Sequence, residues 1–110
     1  MKRIFTYEEA CALLPEAQSL TQKAVEEVDA LLNLETTEEE VEIPEELAED
    51  YQQVVSKWAR SILDLGIEVK GLWLIDFDSG SGYYCWRYPE PSLQYFHGYE
   101  DGFKGRIKLN

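Results

Sequence analysis

The chain is short of the residues that most readily build a functional centre. It has one histidine, two cysteines, ten Lys and Arg, and no long apolar run. Each shortage closes off a class of function. Cys11 and Cys85 lie far apart, which gives neither a disulfide framework nor a Cys-x-x-Cys metal or redox pair. Both are expected to behave as small buried apolar residues. With His97 the sole imidazole, a metal centre would need carboxylates such as Glu90, Glu100 or Asp101. No familiar ligand spacing joins them, so neither metal nor cofactor is expected. No segment approaches the ~18 apolar residues of a membrane span. The opening Met1-Lys-Arg-Ile-Phe-Thr-Tyr-Glu-Glu9 lacks the apolar stretch of a signal peptide, so a cytoplasmic location is expected.

The shortage of bases leaves a net charge of −12, with 22 Asp and Glu in the chain. The excess sits in residues 1–66, which carry 16 acids against 5 bases; residues 67–110 carry 6 against 5. Such a field repels phosphate backbones and anionic membranes. Lys104, Arg106 and Lys108 are too few to form a compensating patch. No nucleic acid and no membrane are expected as partners.

What the chain does have is enough apolar residues (45%) and aromatic residues (13%) over 110 positions to bury the core of one domain spanning 1–110. The expected fold class is α+β: an N-terminal antiparallel two-helix hairpin packed on a three-stranded antiparallel β-meander. Helix one is expected over 7–33. Thr6-Tyr-Glu-Glu9 is a capping box, and Ala10, Leu13, Leu14, Ala17, Leu20, Ala24, Val28, Leu31 and Leu32 form one stripe. Pro15 inside the stripe predicts a kink rather than an end. Residues 34–43 are acidic and read as a solvated connection; the alternating Asp/Asn and central Gly of a calcium loop are missing. Helix two is expected over 44–66. It opens at Pro44, carries the stripe Leu47, Tyr51, Val54, Val55, Trp58, Ile62 and Leu65, and stops at Gly66.

After Gly66 the period changes from 3.6 to 2. Strands are expected at Ile67–Phe77 (with a break at Gly71), Tyr83–Tyr88 and Leu93–His97, followed by an irregular tail over 98–110. Pairing Phe77 with Tyr83, and Tyr88 with Leu93, places Asp76, Tyr84 and His97 in one row, a candidate hydrogen-bonded relay or acid–base site. The alternative is a satisfied polar row closing the core. The same register puts Cys85 and His97 on opposite faces, which counts against a nucleophile–base or metal-ligand pair. It also makes both faces aromatic. The helices can cover one. A symmetric homodimer, or the returning tail with Tyr99, Phe103 and Ile107, must cover the other. Arg87 and Arg106 could hold a small anion or, more often, pair with Glu90, Asp101 or the acidic helices. Trp73 and Trp86 read as core or interface anchors.

The order of several short elements resembles one bacterial family. These are Phe5-Thr-Tyr-Glu-Glu-Ala10 running into Leu13-Leu-Pro15, Gly66-Ile-Glu-Val-Lys70, Ile75-Asp-Phe77, Cys85-Trp-Arg87, Glu90, Phe96-His97 and Gly102-Phe-Lys-Gly-Arg106. Together they are similar to the "domain of unknown function 2203" family. The chain departs from that pattern at Pro89-Glu90, where Gly-Glu is usual, and at Phe96-His97, where Trp-His is usual. The resemblance implies one intact domain without an assigned activity. It draws attention to Asp76, Cys85, Trp86, Arg87, Glu90, His97, Gly102, Phe103, Gly105 and Arg106 as a site.

Two functions follow as expectations. The first is a non-enzymatic interaction or assembly module, homodimeric through the aromatic sheet face, with a protein partner of unknown identity. The second is a small enzyme or a ligand- or metal-binding protein. Its acid–base candidates are Asp76, Tyr84, Glu90 and His97, and its ligand-binding candidates are Cys85, Trp86, Arg87 and Arg106.

Overall fold

The computed structural model describes residues 3–32 and 43–109. Asn33, expected to end helix one, and residues 34–42 of the expected acidic connection lie outside the described residues. Helix α1 spans Tyr7–Leu32 and runs through Pro15 as one element. Its capping box is formed: the Thr6 amide donates to Glu9 Oε1 (2.8 Å), and the Glu9 amide donates to Thr6 Oγ1 (3.1 Å). A 3₁₀ turn at Glu45–Leu47, entered from Pro44, leads into α2 at Ala48–Asp64. Gly66 ends this helix in the left-handed conformation (φ 86°), and a Cβ there would strike the Arg3 side chain at 2.8 Å.

The helices run antiparallel, since Leu31 shares a furrow with Asp50 and Ala24 shares one with Val54. Further along the interface, Trp58 Nε1 donates to Thr21 Oγ1 at 2.8 Å, and the Thr21 hydroxyl in turn donates to the Ala17 carbonyl at 2.8 Å. An indole N–H buried between helices needs an acceptor, and the threonine supplies it without bringing in a charge.

The sheet has five strands, not three, in the order β1-β2-β3-β4-β5, each antiparallel to the next. The strands are β1 Glu68–Gly71, β2 Leu74–Asp78, β3 Tyr83–Arg87, β4 Tyr95–His97 and β5 Ile107–Lys108. The stretch expected as one strand through Phe77 is a hairpin. Its turn holds Trp73 at φ 59°, an uncommon conformation for a bulky residue. Packing offsets the strain: the Trp73 ring stands edge-on to Trp58 at 4.9 Å, and its carbonyl accepts from the Tyr88 amide at 3.0 Å. The tail expected to be irregular contains a 3₁₀ turn at Phe103–Gly105 and then β5.

The register differs from expectation by one residue at each of the two later junctions. Asp78 pairs with Tyr83 and Phe77 with Tyr84, because the loop has four residues rather than five. Asp78 stays in the ladder while its Oδ1 accepts from the Gly80 amide (2.9 Å), and the Ser79 amide closes the turn on the Gly82 carbonyl (2.8 Å). At the next junction Tyr83 pairs with His97 and Cys85 with Tyr95. There the Glu90 amide donates to the Arg87 carbonyl, and Leu93 leaves the sheet to fill the core at 1% exposure. One face of the sheet therefore carries Ile75, Phe77 and Trp86. These residues meet Phe5, Ala10, Leu14 and Ala17 at α1 and Trp58 and Ile62 of α2 in the buried core.

Replacing Thr21 by Val keeps the volume but leaves the Trp58 N–H without its acceptor. The expected loss is about 1–3 kcal/mol in urea unfolding. A variant as stable as the wild type would mean that the indole finds another acceptor.

Candidate functional site

The face turned away from the helices holds the chemistry. Across it run two rows fixed by the ladder: Glu68, Asp76, Cys85 and Tyr95 in one, Asp78, Tyr83 and His97 in the other. Asp76 and His97 share this face, as expected, but they stand in neighbouring rows rather than in the one row expected. Tyr84 does not. It points to the helix side, where its ring meets Tyr7 and Phe96, and so leaves the expected relay. Cys85 takes the place read for Tyr84 and joins His97 on one face, contrary to the opposite-face expectation. A one-residue slip in a strand turns every side chain over.

At the centre, His97 Nε2 lies 2.9 Å from Asp76 Oδ2, with the two residues 4% and 1% exposed. His97 Nδ1 lies 2.8 Å from the Gly98 carbonyl. A carbonyl oxygen only accepts, so Nδ1 carries a hydrogen, and one further proton must sit between Nε2 and the carboxylate. One donor atom from each of Asp76, Cys85 and His97 lies within 4.8 Å of the others. Cys85 is the strand partner of Asp76, which places its thiol beside the carboxylate. Asp76 Oδ1 is buried and, among the described residues, has no N–H or O–H donor; the same holds for Glu68 Oε2. The other Glu68 oxygen accepts from Tyr83 Oη (3.1 Å) and from Lys70 Nζ (3.0 Å).

Burial pushes the Asp76 carboxyl above its usual range, while the hydrogen bonds and charges of Cys85, His97 and Lys70 pull the other way. Burial, with the Asp76 charge behind it, pushes the Cys85 thiol up to about 12, so it is a thiol at neutral pH.

A pocket of about 270 Å³ opens over this centre, lined by Lys70, Leu74 and Tyr83 around the three polar side chains, with Tyr99, Gly102 and Phe103 contributed by the tail. The tail, weighed in the sequence against a second subunit as cover for this face, folds back onto it. The Tyr99 hydroxyl donates to Asp78 Oδ1 at 2.7 Å, and its ring stands edge-on to Tyr83. Gly105 permits the return, since a Cβ there would lie 2.6 Å from Asp101 Cβ. Arg106 closes one flank. Its guanidinium is sandwiched between the rings of Tyr95 (3.9 Å) and Phe103 (4.1 Å), and it donates to Glu90 Oε2 at 2.8 Å. Its Nη1 also reaches Cys85 Sγ at 4.0 Å.

The remaining candidates are placed as follows. Glu90 is engaged by Arg106 and by the Arg87 amide (2.8 Å), one shell back from the pocket floor. Arg106 pairs with Glu90, the option weighed against anion binding. Arg87 lies over the Phe103 ring at 5.4 Å. Trp86 faces the core and donates to the Glu90 carbonyl (2.8 Å). Glu68, Lys70 and Tyr83 are site residues that the sequence does not single out: the first two lie inside the stretch expected as one strand, and the expected register turns Tyr83 away from Asp76.

Asp76 gives the fold a pH dependence of definite sign. Its folded pKa lies above the unfolded one, so its contribution to stability is fully present below the ordinary carboxyl value of about 3.9. That contribution is lost as pH rises through the raised folded value. Asp76→Asn cannot ionise. In urea unfolding, the stability of the wild type relative to this variant is expected to fall as pH rises above about 3.9. A constant difference would show that Asp76 ionises as readily in the fold as out of it.

Among the described residues, no helix is long and apolar enough to cross a membrane. No curated protein and no solved structure matches the chain. The sequence model of one family does, over residues 3–109, under the description "uncharacterized conserved protein". The chain belongs to the DUF2203 family of uncharacterised conserved proteins.

Proposed function

We propose that the protein is a small, non-enzymatic binding domain whose ligand sits in the outer-face pocket above the His97–Asp76 pair. One observation carries this reading: an almost fully buried histidine–aspartate pair lies under an open pocket rather than inside a closed core. Buried polar pairs seldom add stability over apolar side chains of the same volume, so a small protein gains little by keeping one for structure alone. A pocket with a few convergent polar groups and aromatic walls is the usual form of a small-ligand site. Wider furrows run along the helices, one lined by Gln18, Gln22, Lys23 and Glu26, but they lack such convergence.

Binding is favoured over catalysis. The Cys85 thiol, pushed up to about 12, is no nucleophile at neutral pH. Glu90, read as a third acid–base group, is held by Arg106. Two free thiols suit a reducing cytoplasm. Homodimerisation is a second reading, favoured by Tyr99 and Phe103. They line the pocket yet remain 47% and 37% exposed, leaving aromatic surface at its mouth that a second copy would cover.

Native mass spectrometry of protein purified without chelator tests both readings. A bound mass increment is expected. His97→Gln should melt lower than the wild type, because it removes one partner of a buried pair, yet stay folded and lose the increment. If neither protein carries an increment, the pair is structural and the binding reading fails. The same spectra report whether the mass is that of one chain or two.

A further inference from the structure

We infer that Asp76, Cys85 and His97 form a site for one divalent transition-metal ion of the zinc class. This rests on reading the outer-face pocket as a binding site.

The donor set comes first. An imidazole nitrogen, a thiol sulfur and a carboxylate oxygen lie mutually within 4.8 Å, and all three residues are buried. Zinc takes these three donor types at about 2.0–2.3 Å, which places donors about 3.3–3.8 Å apart around a tetrahedral ion. The His97–Asp76 separation of 2.9 Å would open by a few tenths of an ångström, and the widest separation would close by about 1 Å. Side-chain rotations of that size need no change in the ladder. Calcium and magnesium, which prefer all-oxygen shells, do not suit a site with sulfur and nitrogen.

A second observation is independent of proximity. The Gly98 carbonyl fixes the hydrogen of His97 on Nδ1, so the Nε2 lone pair is aimed at Asp76 Oδ2. Two lone pairs at 2.9 Å need a proton between them, and a metal ion could take its place once the pair opens to about 3.3 Å. A backbone carbonyl on the far ring nitrogen is also the usual support for a histidine that ligates metal. A third observation concerns charge. Asp76 Oδ1 and Glu68 Oε2, from cross-strand partners on this face, are buried without N–H or O–H donors. Lys70 balances the Glu68 charge, which leaves the donor-free Asp76 Oδ1 as the oxygen that favours a cation over a neutral guest.

On binding, the Cys85 thiol proton and the proton shared by His97 and Asp76 leave to solvent. A 2+ ion then faces one thiolate and one carboxylate, and the centre is electrically neutral. Three protein donors leave the fourth position turned to the pocket, where a small ligand would reach the ion.

The test titrates chelator-treated protein with Co²⁺, followed by absorption, and with Zn²⁺, followed by calorimetry and thermal unfolding. The expected result is one ion per chain, a thiolate-to-cobalt charge-transfer band, and a Zn²⁺-dependent rise in melting temperature. Cys85→Ser should abolish the band. Asp76→Asn and His97→Gln should weaken Zn²⁺ binding at least about a hundredfold, the upper range for losing even an outer-shell partner. Near-ultraviolet circular dichroism shows whether each variant is folded, and the wild-type titration decides the matter even where a variant is not. Absence of stoichiometric binding by the wild type, or a band that survives Cys85→Ser, overturns the inference. If metal binding fails while a His97-dependent small-molecule increment persists in native mass spectra, the ion is wrong and the pocket reading stands. If both are absent, both fall.

Discussion

The pairing of Asp78 with Tyr83 determines which side chains reach the outer face of the sheet. Side chains alternate along a strand, so a junction of one more or one fewer residue would trade Tyr83, Cys85 and Arg87 for Tyr84 and Trp86. The junction is held by short-range contacts: Asp78 Oδ1 on the Gly80 amide, the Ser79 amide and hydroxyl on the Gly82 carbonyl, and Gly80 at φ 90°. At Gly82, a Cβ would stand 2.4 Å from the Phe96 ring, so the close approach of β4 also depends on this loop. The chemistry of the site thus hangs on a four-residue turn that contains none of its ligating groups.

The two faces of the sheet meet different requirements. The inner face is mainly apolar, and among the described residues the buried side-chain hydrogen bond between the helices, Trp58 to Thr21, is satisfied. That face can supply the burial free energy of the fold. The outer face holds Asp76 and His97 at almost no exposure, which costs solvation that the single Nε2–Oδ2 contact only partly returns. The inner core makes such an outlay tolerable in a chain of this length.

The helices were legible in the sequence because their signals are local. The Thr6–Glu9 box, the stripe from Ala10 to Leu32 and the Gly66 stop each lie within a few residues of what they determine, and all three appear in the fold. The Asp76–His97 partnership was legible for a less secure reason. Two one-residue differences, one at each junction, add to a two-residue shift of β4 against β2, which keeps Asp76 and His97 on one face but in neighbouring rows, while Tyr84 and Cys85 on the strand between them are exchanged. Counting residues in Asp78-Ser-Gly-Ser-Gly82 cannot show whether the aspartate belongs to the loop or to the ladder, because its side chain serves the loop while its backbone serves the strand. The hairpin at Gly71–Leu74 was hidden by Trp73, whose positive φ no propensity would place in a turn. β5 was hidden because two residues, Ile107 and Lys108, make a strand only once β4 is there to pair with them.

The tail accounts for the site being a pocket rather than a flat sheet. Tyr99 anchors it to Asp78, the residue that also fixes the register, so one carboxylate serves both the loop and the cover. From there the chain passes Asp101, whose Oδ2 accepts from the Gly98 amide, and reaches Arg106, stacked between Tyr95 and Phe103. A guanidinium held between two rings and tied to Glu90 has little freedom left, and its positive charge stands 4.0 Å from the Cys85 sulfur. That charge favours a thiolate, against the burial and the Asp76 charge that favour the thiol. With no ion present the thiol prevails; a cation between Asp76 and His97 would cancel the carboxylate's opposition and leave Arg106 opposed by burial alone. The tail therefore walls the pocket and also places a fixed positive charge beside the sulfur, where a ligating cysteine would need it.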